Sequence, residues 1–217
     1  STRPGAAAVS ADEELSRLLP ALGAIAGRVR IPVSVDTRKA AVARAALDAG
    51  ASLVNDISGL GYDSELGAVV AAAGAGLVLM HMRGSPREMY REAVYADVAA
   101  EVVRELDASV KAAEAAGVPR AAVIVDPGIG FAKRPEHSLE LLARLPEMAS
   151  LGRPVLVGVS RKSFLLRAIG DCPAPRRDWG TAAAVAALVL AGAHIVRVHA
   201  VAEMVQVVRV ADELRRH

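Results

Sequence analysis

Six short runs of apolar, largely β-branched residues punctuate the chain: IPVSVD (31–36), SLVND (52–56), GLVLMH (76–81), AAVIVD (121–126), RPVLVGV (153–159) and AHIVRVH (193–199). Within each run apolar residues follow one another instead of alternating with polar ones. A strand reads that way when both its faces are covered, as in a parallel sheet. Between the runs lie longer stretches with helical spacing, which predict helices over about 39–49, 64–73, 94–116, 138–148, 181–191 and 202–216. A further helix is expected after Ser10, where Ser-Ala-Asp-Glu has capping-box spacing: the Ser10 hydroxyl and the Glu13 carboxylate would serve free N–H groups of the first turn. Several helices should stop at a glycine, as at Gly50, Gly74, Gly117 and Gly192.

Strict alternation of parallel-type strands and helices leaves two architectures, the closed eight-stranded barrel and the open doubly wound sheet. Nearly every run ends on chemistry: Asp36, Asn55, His81, Asp126, Ser160 with Arg161 and Lys162, and Arg197 with His199. In a barrel those ends converge on one mouth, whereas in an open sheet only strands beside the switch point contribute. The expectation is therefore an α/β fold of the TIM (β/α)8 type, one domain over 1–217, with six of the eight strands visible. The chain opens on a loop and a helix with no strand ahead of it, so two N-terminal strands and the first helix are expected to be absent from this polypeptide.

Composition narrows the function. With 217 residues, 53% hydrophobic and a mean hydropathy of +0.33, the chain can bury a full core. Its 26 Lys+Arg against 24 Asp+Glu leave no broad field for nucleic acid or an anionic membrane. The sequence pI near 8.9 changes little, because the basic residues are scattered. No apolar run is long enough to span a bilayer and the N-terminus has no signal-peptide pattern, so a cytoplasmic protein is expected. The one cysteine, Cys172, fits a reducing compartment. Aromatic residues are only 3%, and alanine and valine fill the apolar positions, which suits helices packed closely on a sheet.

The segment DPGIGFAKRPEH (126–137) is long for a plain strand-to-helix connection. Pro127 and Gly128 break the strand after Asp126, Gly130 lets backbone approach a ligand, Phe131 offers a flat apolar face and Lys133 a charge; the plainer alternative is a turn with an N-capping Asp. VGVSRKSF (157–164) sets a hydroxyl, a guanidinium and an ammonium after a buried strand, either an anion or electron-rich ring site or a solvated basic turn. Arg197 and His199 fall on one face of a strand, where both could meet one phosphate. Asp36, Asp126 and Asn55 together suit a ring bearing several N–H donors, since a carboxylate accepts parallel N–H bonds while an Asn both donates and accepts. A divalent-metal site is the alternative for the carboxylates. Met80 reads as a wall residue and His81 as a satisfied structural histidine. No GxxxxGK[ST] or GxGxxG loop is present, nor a Cys/His cluster for zinc.

Seven segments, in order along the chain, carry a resemblance: STRPGA (1–6), SVDTRKAAVARAALDAGASLVND (34–56), LMHMRGSPREM (79–89), DPGIGFAKRPEH (126–137), PVLVGVSRKSFL (154–165), GTAAA (180–184) and RVH (197–199). Together they resemble the dihydropteroate synthases, the folate-pathway members of the pterin-binding barrel enzymes. The resemblance implies that 4-aminobenzoate displaces pyrophosphate from (7,8-dihydropterin-6-yl)methyl diphosphate to give 7,8-dihydropteroate. By similarity, Asn55, Asp126 and Lys162 would hold the pterin, Asp36 would contact its ring, and Met80 and Phe131 would wall it. Arg197 and His199 would bind the diphosphate, while Thr2, Arg3 and Pro4 would belong to a mobile loop, with Ser163 nearby. Asp36, Lys162, Arg197 and His199 would be the catalytic group. The family also implies Mg2+, whose asparagine ligand would lie in the missing N-terminal segment, and a homodimer. Ala200 stands where the family commonly has Asp. The alternatives are a catalytically inert pterin-binding barrel and a methyltetrahydrofolate-dependent methyltransferase, against which SRKSF and the long DPGIGFAK loop argue.

Overall fold

The computed structural model describes residues 8–84, 91 and 93–217, and in it all six apolar runs contain strands. These are β1 (Ser34–Asp36), β2 (Leu53–Asp56), β3 (Gly76–Met80), β4 (Val123–Asp126), β5 (Leu156–Gly158) and β6 (Ile195–Arg197). Every pairing is parallel and follows chain order. β1 to β4 form one ladder and β5 with β6 another. A single bridge between Val125 and Val155 joins them, with the Val125 N–H donating to Pro154 O at 3.0 Å. Pro154 has no N–H to return and Pro127 ends β4, so the pairing narrows there to one bridge.

The helices are α1 (Ala11–Ile25), α2 (Ala40–Asp48), α3 (Leu66–Ala72), α4 (Val98–Ala115), α5 (Pro135–Ala143), α6 (Leu166–Ile169), α7 (Asp178–Leu190) and α8 (Val201–Arg216). α4 shows why they lie where they do: Val98, Val102, Leu106, Val110 and Ala113 recur at helical spacing and are all buried on the sheet side. In β3 the consecutive residues Leu77, Val78, Leu79 and Met80 are all buried, so both faces of the strand are covered. At the ends of the arc that cover thins, with Ser34 and Asp36 of β1 and Ile195 and Arg197 of β6 exposed. Neither outer edge has a strand partner among the described residues. The architecture is a (β/α)8-type barrel with six parallel strands among the described residues.

Some helix ends and caps differ from the spacing. α4 begins at Val98 instead of Val94, because Asp97 caps it by accepting the Ala100 N–H at 3.0 Å. The helix expected over 138–148 is α5, opened by Pro135 at its first turn, followed by a separate 3-10 segment, Leu145–Leu151, that opens on Pro146. At Ser10 half of the capping box forms: the hydroxyl accepts the Glu13 N–H at 3.2 Å, while the Glu13 carboxylate turns to Arg17. A groove of about 560 Å³ beside α8, lined by Val196, Val198, Val201 and Met204, meets the polar strand ends only at Arg197. Among the described residues no helix is long and apolar enough to cross a membrane.

Candidate active site

Parallel pairing in register sets the polar residues side by side at one rim. Asp36 stands opposite Asn55, and Met80 opposite Asp126. The Asn55 Nδ2 donates to Asp36 Oδ1 at 2.8 Å, which leaves Asn55 Oδ1 buried with no hydrogen-bond partner among the described residues. Asp126 is 7% exposed. Its Oδ1 accepts the Gly128 N–H at 2.7 Å, and its Oδ2 has no partner among the described residues. Burial pushes the Asp126 carboxyl up from the ordinary carboxylate range, opposed by Lys162, by the Gly128 N–H, by Lys133 and by Arg197. Gly128 itself is obligatory. At φ +67° a Cβ there would lie 1.9 Å from the His81 carbonyl oxygen.

Lys162 reaches the same rim from the segment after β5. Its Nζ donates to Ile129 O and lies 4.7 Å from the centroid of the Phe131 ring, within cation-π range. Burial brings its pKa down to about 8, with Asp126 pulling the other way. Arg161, the other cation after β5, does not join it. Its guanidinium pairs through Nε and Nη2 with Asp178 at 2.8 Å each, and its N–H donates to Thr181 Oγ1 at 3.1 Å. These bonds hold Arg161 at φ +59°, a left-handed conformation that costs a side-chain-bearing residue about 1 to 2 kcal/mol. The cost is met where it reverses the chain so that Lys162, and not Arg161, faces the rim.

Arg197 donates to Asp36 Oδ2 at 2.6 Å, spanning the two ends of the arc. His199 is oriented by Ser160: the hydroxyl accepts the His199 backbone N–H at 3.2 Å and lies 2.8 Å from Nδ1. The hydroxyl proton can then point to Nδ1, which makes the outward-facing Nε2 the ring donor. Arg197 and His199 are both exposed and make no bond to one another. Ser163 is exposed at the start of a 3-10 turn, Ser163–Leu165. Met80 is buried, and Phe131 half-buried. Thr2, Arg3 and Pro4 lie outside the described residues, as do 85–89 of the LMHMRGSPREM segment.

Sequence reasoning passed over the cluster behind Asp126. Lys133, which read as a loop charge, is 1% exposed. Its Nζ is 2.8 Å from His81 Nδ1 and 3.1 Å from Phe131 O. His81 Nε2 lies 2.8 Å from Glu105 Oε2, and Glu105 with Glu101 binds Arg83. Burial lowers the His81 pKa to about 4, and the His81 and Arg83 hydrogen bonds bring the Glu105 carboxyl down to about 2. His81 is thus the satisfied histidine its setting promised. A histidine and a glutamate 24 positions apart give no sign of such contact beforehand.

The same side chains bear on whether the rim can hold Mg2+. Among the described residues no three Asp, Glu, His or Cys side chains converge, and Asp36 and Asp126 are engaged by Asn55, Arg197 and Gly128. These residues do not fit a protein-held metal, and no step is routed through one.

The site can be set beside known proteins. The family model for pterin binding enzymes matches residues 1–199. The dihydropteroate synthase of Synechocystis is 48% identical over 217 residues, covering 100% of this chain and 75% of that protein. Among solved structures, the Yersinia pestis dihydropteroate synthase with a sulfonamide drug superposes with a TM-score of 0.96 at 38% identity, covering 100% of this chain and 78% of that one. The Thermus thermophilus enzyme in complex with 4-aminobenzoate gives 0.92 at 43% identity, covering 99% and 81%. The chain belongs to the pterin binding enzyme family. Its place within that family is with the dihydropteroate synthases, transferases of folate biosynthesis.

Two outcomes follow from the geometry. Gly128→Ala should destabilise by more than about 2 kcal/mol, since its Cβ meets backbone, whereas Gly74→Ala should cost only about 1 kcal/mol of left-handed strain. Gly74 sits at φ +62° with nothing within 4 Å of an added Cβ, and urea unfolding of the pair measures the difference. The second concerns pH. Folded His81 takes a proton only below about 4 and the unfolded residue at 6.5, so between those values the unfolded chain holds more protons and stability rises with pH. His81→Asn should flatten that rise, read from urea midpoints across the interval; an unchanged slope would contradict the burial of a neutral ring.

Proposed function

We propose that the rim binds (7,8-dihydropterin-6-yl)methyl diphosphate through its ring and joins it to 4-aminobenzoate. The reading rests on two acceptors at one rim, Asn55 Oδ1, buried without a partner, and Asp126 Oδ2, which takes no hydrogen bond among the described residues; both match a ring edge rich in N–H donors. Met80 and Phe131 supply apolar walls, and Lys162 stands over the Phe131 ring beside them. Arg197 and His199 Nε2 are the outward donors for the diphosphate, Arg197 exchanging its bond to Asp36 for the anion. Ser163 and the loop bearing Thr2, Arg3 and Pro4 are assigned to the aminobenzoate side, on the resemblance alone.

The chemistry asks mainly for charge stabilisation and positioning. The bond between the pterin methylene carbon and the diphosphate oxygen breaks, and its electron pair leaves with the diphosphate. Arg197 and His199 meet the growing negative charge, and the carboxylates Asp36 and Asp126 favour positive charge on the methylene and ring. The aniline nitrogen, already a nucleophile, forms the C–N bond and then gives up a proton. Lys162, Asp36, Arg197 and His199 are on this reading the catalytic residues. No step here is routed through the Mg2+ that the resemblance implies.

A homodimer in the cytoplasm completes the reading, the compartment being open to check by cell fractionation. Exposed apolar residues on α7 and α8, Trp179, Leu190, Val210 and Leu214, support a face for a second copy.

Calorimetric titration with a 7,8-dihydropterin diphosphate analogue should show binding that Asp126→Asn weakens by about 100-fold, because an amide offers one acceptor where the carboxylate offers two and loses the charge. Equal affinity in the two proteins would refute the role of Asp126. Sedimentation should show a dimer that Val210→Glu with Leu214→Glu converts to monomer, and a monomeric parent protein would refute the face.

A further inference from the structure

Behind the ring pocket sits a cation that none of the roles above uses. Lys133 is 1% exposed, and its Nζ donates to His81 Nδ1 at 2.8 Å and to Phe131 O at 3.1 Å. The ends of this chain fix the direction of its bonds. Glu105, a carboxylate held by Arg83, can only accept, so His81 Nε2 donates to it and His81 Nδ1 must accept from Lys133. Two of the three ammonium N–H groups are therefore committed, and Lys133 is anchored to α4 through His81. Burial brings Lys133 down to about 7, and the group that does most to keep its proton is Asp126. The charged and titratable groups around it are Asp126 on the β4 loop, Lys162 after β5, His81 and Arg83 after β3, Glu105 on α4, and Tyr95, whose ring centroid lies 5.9 Å from Nζ. Tyr95 ties the same loop from its other side, its hydroxyl donating to Ala132 O at 2.9 Å.

We propose that Lys133 is a positioning residue for ring binding: anchored through His81 to Glu105, it holds the Asp126 carboxylate in its acceptor form and fixes the loop that carries Phe131. The proposal rests on Asp126 being the ring acceptor. Burial alone works against an ionised Asp126, and Lys162 and Lys133 are the two ammonium groups that offset it. Removing one of a carboxylate's nearby cations raises its pKa. Asp126 would then keep its proton to higher pH and present a hydroxyl to a ring edge that itself donates. A purely structural lysine predicts something different, lower stability with an unmoved pH profile.

The test is calorimetric titration of this chain with the 7,8-dihydropterin diphosphate analogue from about pH 5 to 9, bracketing the range in which a buried carboxyl can titrate. In the parent protein affinity should rise with pH on the acid side as Asp126 ionises, and fall again as Lys133 and Lys162 lose their protons near 7 and 8. Lys133→Met should move that rise to higher pH and weaken binding at neutral pH by about tenfold. Asn places an acceptor where His81 Nδ1 lies, so His81→Asn should keep the parent profile, while His81→Leu should follow Lys133→Met. Urea unfolding shows which variants fold, and if Lys133→Met does not, the His81 pair decides. Absence of binding by the parent protein at every pH overturns the ring-site reading and this proposal with it. Binding by the parent with an unshifted profile in folded Lys133→Met, or in His81→Leu, overturns the proposal alone, even if affinity falls uniformly.

Discussion

The Asp126 carboxylate is held out of water at the end of a central strand, and much of the rim exists to offset that burial. A desolvated carboxylate is unfavourable by several kcal/mol unless charges and N–H groups replace its water. Here the Gly128 N–H supplies one bond and Lys162 and Lys133 supply charge from two sides. Each cation is itself penalised by burial, to about 8 and about 7, and each is held largely by Asp126. The three groups are therefore one unit, with a single oxygen, Asp126 Oδ2, left for a ligand. That arrangement is costly as a structural device and sensible as a binding one, because a ring with N–H donors completes it.

The backbone is arranged to the same end. β3 and β4 are paired so that the His81 N–H donates to Asp126 O at 2.9 Å, and the loop turns back over His81 so closely that only glycine fits at 128. Two further residues at the rim, Ala132 and Arg161, take positive φ although each carries a Cβ. Their conformations direct the two lysines, since Ala132 precedes Lys133 and Arg161 precedes Lys162. Strain of about 1 to 3 kcal/mol at each such residue persists only where the surroundings hold it. Tyr95 OH on Ala132 O, and Asp178 with Thr181 on Arg161, are those holds.

Much of this was legible in the sequence, and what was not has a common cause. Unbroken apolar runs ending in Asp36, Asn55 and Asp126 announce parallel strands with chemistry at one rim, because the signal is local and periodic. The strand cores proved shorter than the runs, three to five residues each, since only part of each run finds a ladder partner. Lys133 and His81 are 52 residues apart, and Ser160 and His199 are 39 apart. No local spacing encodes such pairs. Arg161 and Lys162 are adjacent and look alike on paper, and a left-handed residue between two loops sends them to different places. Alanine at 132 gives no warning of positive φ, because glycine is the residue that normally marks it.

The energetic contrast between the two halves of the rim explains how such a site can bind and release. The ring side is preorganised around buried charges, and breaking it by removing one partner strands another in a dry place. The anion side is built differently. Arg197 and Asp36 have side chains 66% and 42% exposed, and an ion pair that open is worth about 0 to 1 kcal/mol. Little is lost when Arg197 leaves Asp36 for a multiply charged oxygen group, and little is lost when it returns after that group departs. Asp36 meanwhile keeps the Asn55 amide bond, so the Asn55 carbonyl stays aimed while the arginine moves. Selectivity for the ring and turnover of the leaving group thus fall to different residues, the first to groups that cannot move cheaply and the second to one that can.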